Sequence, residues 1–220
     1  MFNTTGWLVA GSAVLLTGMS KAGMGGAFGG LAVPLMALWI APRDAAAVML
    51  PILVLMDLLS LRAYWGGWSR ADLARLLPGA AIGIGVASLV FGTLSESAVK
   101  VILGLISVGF ALSRVVAQGS RTRRTGAASG AFWGGIAGFT STVAHAGGPP
   151  LLVYLLGRGL EKRRFIATTV GFYAVVNAVK LIPYVGLHVI TKRTLLATAA
   201  LLPFAPLGIV LGLTLQRRLP

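Results

Sequence analysis

The chain has no cysteine, and only five of its 220 residues are acidic. The first absence removes disulfides, thiolate metal sites and thiol nucleophiles together. With two histidines and a single carboxylate placed midway along an apolar run, Asp57, a protein metal site is not expected either, and no cofactor is implied. Neither a GxSG nucleophile motif nor an HExxH zinc motif occurs, and Ser141 has no base partner identifiable in the sequence, so an enzyme is not expected. Polar stretches long enough to form a soluble domain are also missing.

What is present is apolar. Hydrophobic residues make up 56% of the chain and runs of membrane-span length recur from end to end. An all-α polytopic membrane protein follows, organised as one transmembrane domain over 1–220. The formal charge of +14 would suggest nucleic acid in a soluble chain. Here the basic residues sit in short loops beside apolar runs, where they act as orientation signals, so the partner is the lipid bilayer and not nucleic acid. The opening run, "MFNTTGWLVAGSAVLL", lacks a basic leader segment and is expected to remain in the mature protein.

Apolar runs fall near 6–40, 45–66, 74–94, 98–116, 127–157, 165–187 and 194–215. The first and fifth are longer than the other five and are interrupted, by "SKAGMGGAFGG" and by "TSTVAHAGGPP". Either each is a broken helix that crosses, or each is a re-entrant hairpin. If both cross, the flanking cations divide almost evenly between the two sides. If both re-enter, only Arg43, Lys100, Lys192 and Arg193 lie outside and the other flanking cations lie inside. The hairpin arrangement restores the bias, with a periplasmic N-terminus and cytoplasmic loops at 114–126 and 158–164.

Hairpins followed by three crossings make two halves that are inverted relative to each other. An ungapped shift of 120 residues aligns "DLLSLRAYWG" with "NAVKLIPYVG", matching Asp57 to Asn177, Leu61 to Leu181, Tyr64 to Tyr184 and Gly66 to Gly186. The expected organisation is a first repeat over 1–117, a basic cytoplasmic linker over 118–125 and a second repeat over 126–220. That second repeat is incomplete, because the run at 98–116 predicts a partner beginning near residue 218; the last helical unit is absent or truncated. Paired discontinuous helices in inverted repeats are a recurring transporter design, with the substrate near the midplane.

The segment "GMGGAFGGLAVPL", the opening of the second half, "GGIAGFTSTVAHAGGPPLLVYLL", and the duplicated layout resemble the TauE/SafE sulfite exporter family, also called the toluenesulfonate uptake permeases. The resemblance implies a bacterial inner-membrane carrier for sulfite, a sulfonate or a related sulfur-containing organic anion, working by alternating access. A proton or sodium ion is the coupling ion it would use, and a homodimer is one assembly open to it.

The residues themselves point to an anion. Backbone N–H groups freed by a helix break, and glycines that let the chain approach a ligand, suit a group with several acceptor oxygens. One predicted tip is Ser20, Lys21, Gly23, Gly25 and Gly26; the other is Thr140, Ser141, Thr142, His145, Gly147 and Gly148. Glycines at membrane depth also serve close helix packing, as the Gly25/Gly29 and Gly26/Gly30 spacings would allow. Lys21 either faces the anion or pairs with Asp57, which is a candidate for proton coupling or for that ion pair. Asn177 and Lys180 share a helix face, and Lys180 either points inward or snorkels to the interface. An anion channel is the alternative use of the same breaks.

Overall fold

The computed structural model describes residues 1–23, 29–93, 126–218 and, between the last two, 95, 97–99, 101, 102, 104, 105, 108, 109 and 112. Gly25, Gly26 and the 118–125 linker lie outside the described residues, as does much of the 98–116 run. Within them every regular element is helical: α1 (Thr4–Gly23), α2 (Ala32–Met36), α3 (Pro42–Tyr64), α4 (Arg70–Thr93), α5 (Ala127–Ala144), α6 (Gly148–Leu156), α7 (Lys162–Gly186), α8 (Lys192–Leu201) and α9 (Phe204–Arg218). A single 3₁₀ turn, Gly29–Leu31, precedes α2.

Local chemistry sets several of these boundaries. Helix α3 starts with Pro42 in its first turn, carries Asp44 beside the positive dipole end and Arg62 in its last turn. Helix α8 starts with a reciprocal capping box between Thr191 and Thr194. Among the described residues, three segments are long and apolar enough to cross a membrane: Pro42–Tyr64, Arg70–Val90 and Lys162–Gly186. Lys192–Leu201 and Phe204–Arg217 together make a fourth if counted as one span bent by 41°. The protein is therefore a multi-pass membrane protein.

Two helices form the interior. In α3 the stretch Ala45–Leu50 is buried on all sides, and in α7 the stretch Ile166–Tyr173 is likewise. They pack on each other, with α4 and α5 paired closely along one flank and α1 and α9 along another. Leu8, Ile82, Leu89, Ile182 and Leu196 point outward, as the surface facing hydrocarbon requires.

The two flanking pairs approach through glycine. A Cβ on Gly79 would overlap the Ala131 carbonyl oxygen, and one on Gly134 the Leu76 oxygen; Gly83 and Gly138 are similarly placed against Gly135 and Ala80. Between α1 and α9, Gly23 meets Gly212, and Gly18 meets Gly208. Between helices in lipid, dispersion at close range replaces the hydrophobic effect, so removal of side chains from the seam is what allows association. In each pair the first helix of one half of the sequence packs on a later helix of the other half.

Candidate anion site

Helix α5 ends where His145 adopts a left-handed conformation (φ 52°), closing the helix with its N–H on the Ser141 carbonyl. Glycine ordinarily takes that place, and a non-glycine residue there holds local strain that its surroundings must fix. The ring is fixed at both nitrogens. Nε2 lies 2.9 Å from the Ala46 carbonyl oxygen of α3, and Nδ1 lies 2.8 Å from Lys180 Nζ. Because a carbonyl only accepts, Nε2 carries the hydrogen and Nδ1 accepts from the lysine. The imidazole in this arrangement is neutral.

Lys180 is fully buried. Its Nζ contacts Ser141 O and Ser141 Oγ, each at 2.9 Å, and His145 Nδ1. All three partners are neutral groups, and they satisfy either an ammonium or an amine that accepts from the serine hydroxyl. Of the two directions open to Lys180 from sequence, the inward one is found. A buried ammonium without a carboxylate is costly in protein unless it gives up its proton or an anion arrives to compensate it.

Lys21 differs in this respect. It lies 2.6 Å from Asp57 Oδ1 and 3.5 Å from the Leu53 carbonyl, and its ammonium is 5.6 Å from the centre of the Tyr173 ring. Asn177 Nδ2 donates to the other carboxylate oxygen, Oδ2, over 2.6 Å. With its amide nitrogen so committed, Asn177 turns Oδ1 elsewhere, and that oxygen, like Ser60 Oγ, is buried with no hydrogen-bond partner among the described residues.

A cavity of about 30 Å³ lies between these groups, room on the order of two water molecules. Thr17, Lys21, Gly30, Leu53, Ser141, His145, Gly148, Tyr173 and Asn177 line it. Asp57 stands behind Lys21 and Asn177, and Lys180 behind Ser141 and His145. Residues named from both helix breaks thus meet around one space.

Other expected residues are occupied differently. Thr140 and Thr142 hydroxyls donate to the carbonyls of Ile136 and Gly138 on their own helix, each at 2.8 Å. Ser20 is buried beside a separate apolar cavity with Leu31 and Leu35, and Gly23 belongs to the α1–α9 seam. Gly147 lies close to Ala137 O, Ser141 Cβ and the Tyr173 hydroxyl. Helix α6 begins Gly148–Pro149–Pro150, and the two prolines supply no N–H, so the break offers fewer backbone donors than a glycine-only turn.

Some participants left no mark in the sequence. Tyr64 OH donates to Ala22 O and Tyr184 OH to Thr142 O, both over 2.6 Å. Each bond joins residues 42 positions apart, and the 120-residue shift carries the first bond onto the second. Backbone acceptors are invisible to motif reading, although the aligned tyrosines were not. A second polar cluster sits apart: buried Asp72 accepts from Ser69 Oγ at 2.6 Å, Arg158 Nε at 2.7 Å and Tyr154 OH at 3.0 Å, tying the start of α4 to α6 and the residues just after it.

The described residues thus form a multi-pass helical membrane protein in which Lys21, Asp57, His145 and Lys180 cluster around a small interior cavity. The chain belongs to the sulfite exporter TauE/SafE family, whose model matches residues 10–220. Comparison with curated proteins and with solved structures yields no match. Membership makes this a protein of a sulfur-anion transporter family.

Proposed function

We propose that this protein is a secondary transporter of the bacterial inner membrane that moves sulfite, a sulfonate or a related sulfur-containing organic anion. The anion binds in the cavity where the helix breaks meet. One observation carries the proposal: Lys180 is fully buried and, among the described residues, bonds to neutral partners, one contact behind the cavity wall formed by Ser141 and His145. Lys21 and Asn177 face the same space from the other side. The cavity is small, so the state described is contracted, and alternating access would widen it toward one side at a time.

The two halves, 1–117 and 126–220, act in this proposal as inverted repeats joined by the cytoplasmic 118–125 linker. Support comes from the repeated tyrosine-to-carbonyl bonds and from the crosswise pairing of α1 with α9 and α4 with α5. The breaks form re-entrant tips, with loops 114–126 and 158–164 on the cytoplasmic side. Cysteine labelling tests this in a chain that has no cysteine of its own. Gly126→Cys and Glu161→Cys should react from the same side of sealed vesicles; reaction from opposite sides means that the 127–157 run crosses.

For the substrate, purified protein is screened by thermal shift against sulfite, thiosulfate and aromatic sulfonates, with carboxylates and phosphate as controls. Stabilisation by a sulfur oxyanion, followed by saturable uptake and counterflow in proteoliposomes, is the expected result. Conductance without saturation would indicate a channel. Lack of stabilisation by every sulfur oxyanion removes the assignment.

A further inference from the structure

We propose that Tyr64 and Tyr184 are the two gates of the transport cycle, each holding one helix end shut over one side of the cavity. Releasing Tyr64 opens the site to one face of the membrane, and releasing Tyr184 opens it to the other. The inference rests on the transport site proposed above. It follows from where the two hydroxyls stand and from what they satisfy.

Helices α3 and α7 run antiparallel: Tyr64 packs with Ile166, Ala167 and Val170, Asp57 bonds to Asn177, and Ala46 and Tyr184 meet around His145. Tyr64 follows Asp57 by two turns of α3, and Tyr184 follows Asn177 by two turns of α7. The two tyrosines therefore stand on opposite sides of the Asp57–Asn177 bond, each roughly 10 Å along its helix. Tyr64 lies toward the end of the molecule that carries Arg70 and Lys162, and Tyr184 toward the end that carries Arg43 and Lys192. Each hydroxyl donates to the carbonyl of the residue just after one that lines the cavity, Ala22 after Lys21 and Thr142 after Ser141.

Ala22 and Thr142 lie in the last turns of α1 and α5. Carbonyls of a helix's last turn have no donor within the helix and must find one elsewhere. Both tyrosines are buried, so in this state a phenol supplies it. At membrane depth a carbonyl that loses such a donor is costly until water reaches it. Detaching a tyrosine and admitting water from its side are therefore one event, and the helix end that it frees carries Lys21 or Ser141. Gln216 of α9 also accepts from Tyr64 at 2.8 Å, which joins this gate to the second half of the chain. With both gates made, the cavity holds only about 30 Å³.

The test places one cysteine on the cavity wall, Thr17→Cys, in a chain that has none of its own. Its reaction with a membrane-impermeant methanethiosulfonate is followed from each face of sealed, oriented vesicles. If Thr17→Cys does not fold, the nearly isosteric Ser141→Cys takes its place. Adding Tyr64→Phe should speed the reaction at least about threefold from the face nearer Arg70 and leave it unchanged from the other. Adding Tyr184→Phe should do the same from the face nearer Lys192. Either variant alone decides, because each predicts one face. Faster reaction from the opposite face, from both faces equally or from neither would overturn the gates. Failure of both variants to fold would assign the two bonds to folding and overturn the gates as well. Methanesulfonate tests the anion site separately, and should slow the cysteine reaction by occupying the cavity. Face-specific reaction that methanesulfonate does not slow would keep the gates and overturn the proposed substrate.

Discussion

Asn177 and Asp57 stand 120 positions apart and meet side chain to side chain over 2.6 Å. The same interval aligns the two halves of the sequence, so the residues that correspond under the alignment touch each other. Two copies of an element related by a two-fold axis bring equivalent residues into contact only close to that axis. In the proposed transporter the Asp57–Asn177 bond marks where the halves hinge about each other, and Lys21 and Lys180 lie beside that line in opposite chemical settings. Under the proposed repeat the two positions differ, Asp against Asn, so one carboxylate stands where symmetry would give two.

The ion pair of Lys21 with Asp57 should show strong coupling. Asp57→Leu leaves a buried ammonium unpaired and Lys21→Met leaves a buried carboxylate, each expected to cost about 3–5 kcal/mol. The double variant should recover most of the loss, measured by chemical unfolding in detergent and analysed as a mutant cycle. Additive losses would mean that the two charges do not depend on each other.

Lys180→Met should behave otherwise. Its removal takes the donor from Ser141 O and His145 Nδ1 but leaves no carboxylate behind, so the fall in melting temperature should be smaller than that of Lys21→Met, while stabilisation by sulfur oxyanions is lost. A drop in melting temperature as large as that of Lys21→Met would assign Lys180 to folding instead of binding.

These charges were the most legible part of the site. A lysine and an aspartate at membrane depth must find partners, and the spacing of Lys180 from Asn177 placed both on one face. The contacts that the sequence could not disclose run to main-chain oxygens: Ala46 under His145, Ala22 under Tyr64, Thr142 under Tyr184. Every residue has such an oxygen, so nothing in the residue types distinguishes the one that is used. The threonine hydroxyls at the second break donate within their own turn, a bond to a main-chain oxygen that the residue types again do not reveal.

Tyr64→Phe and Tyr184→Phe should have matching effects. Each removes the donor to a buried carbonyl beside a helix break, at a cost of about 1–3 kcal/mol. Thermal melts of both variants provide the comparison. Tyr64 also meets Gln216 at 2.8 Å, so its loss should be the larger of the two if they differ.

The α4–α5 seam predicts a contrast among glycines. Gly134→Ala forces a methyl group against the Leu76 carbonyl and should destabilise by about 1–3 kcal/mol. Gly85→Ala, with nothing near its Cβ position, should be neutral or stabilise by up to about 1 kcal/mol through helix propensity. Equal melting temperatures for the two variants would show that the seam is looser than described.

The burial of Lys180 bears on energetics of a different kind. If this lysine holds its proton in the empty carrier, a surplus positive charge that a bound monoanion cancels would make the loaded crossing electrically silent and the empty return sensitive to the membrane potential, by up to about 2.3 kcal/mol for each 100 mV if the full field were crossed. Voltage acting on the empty protein would then help to set the direction in which the anion accumulates.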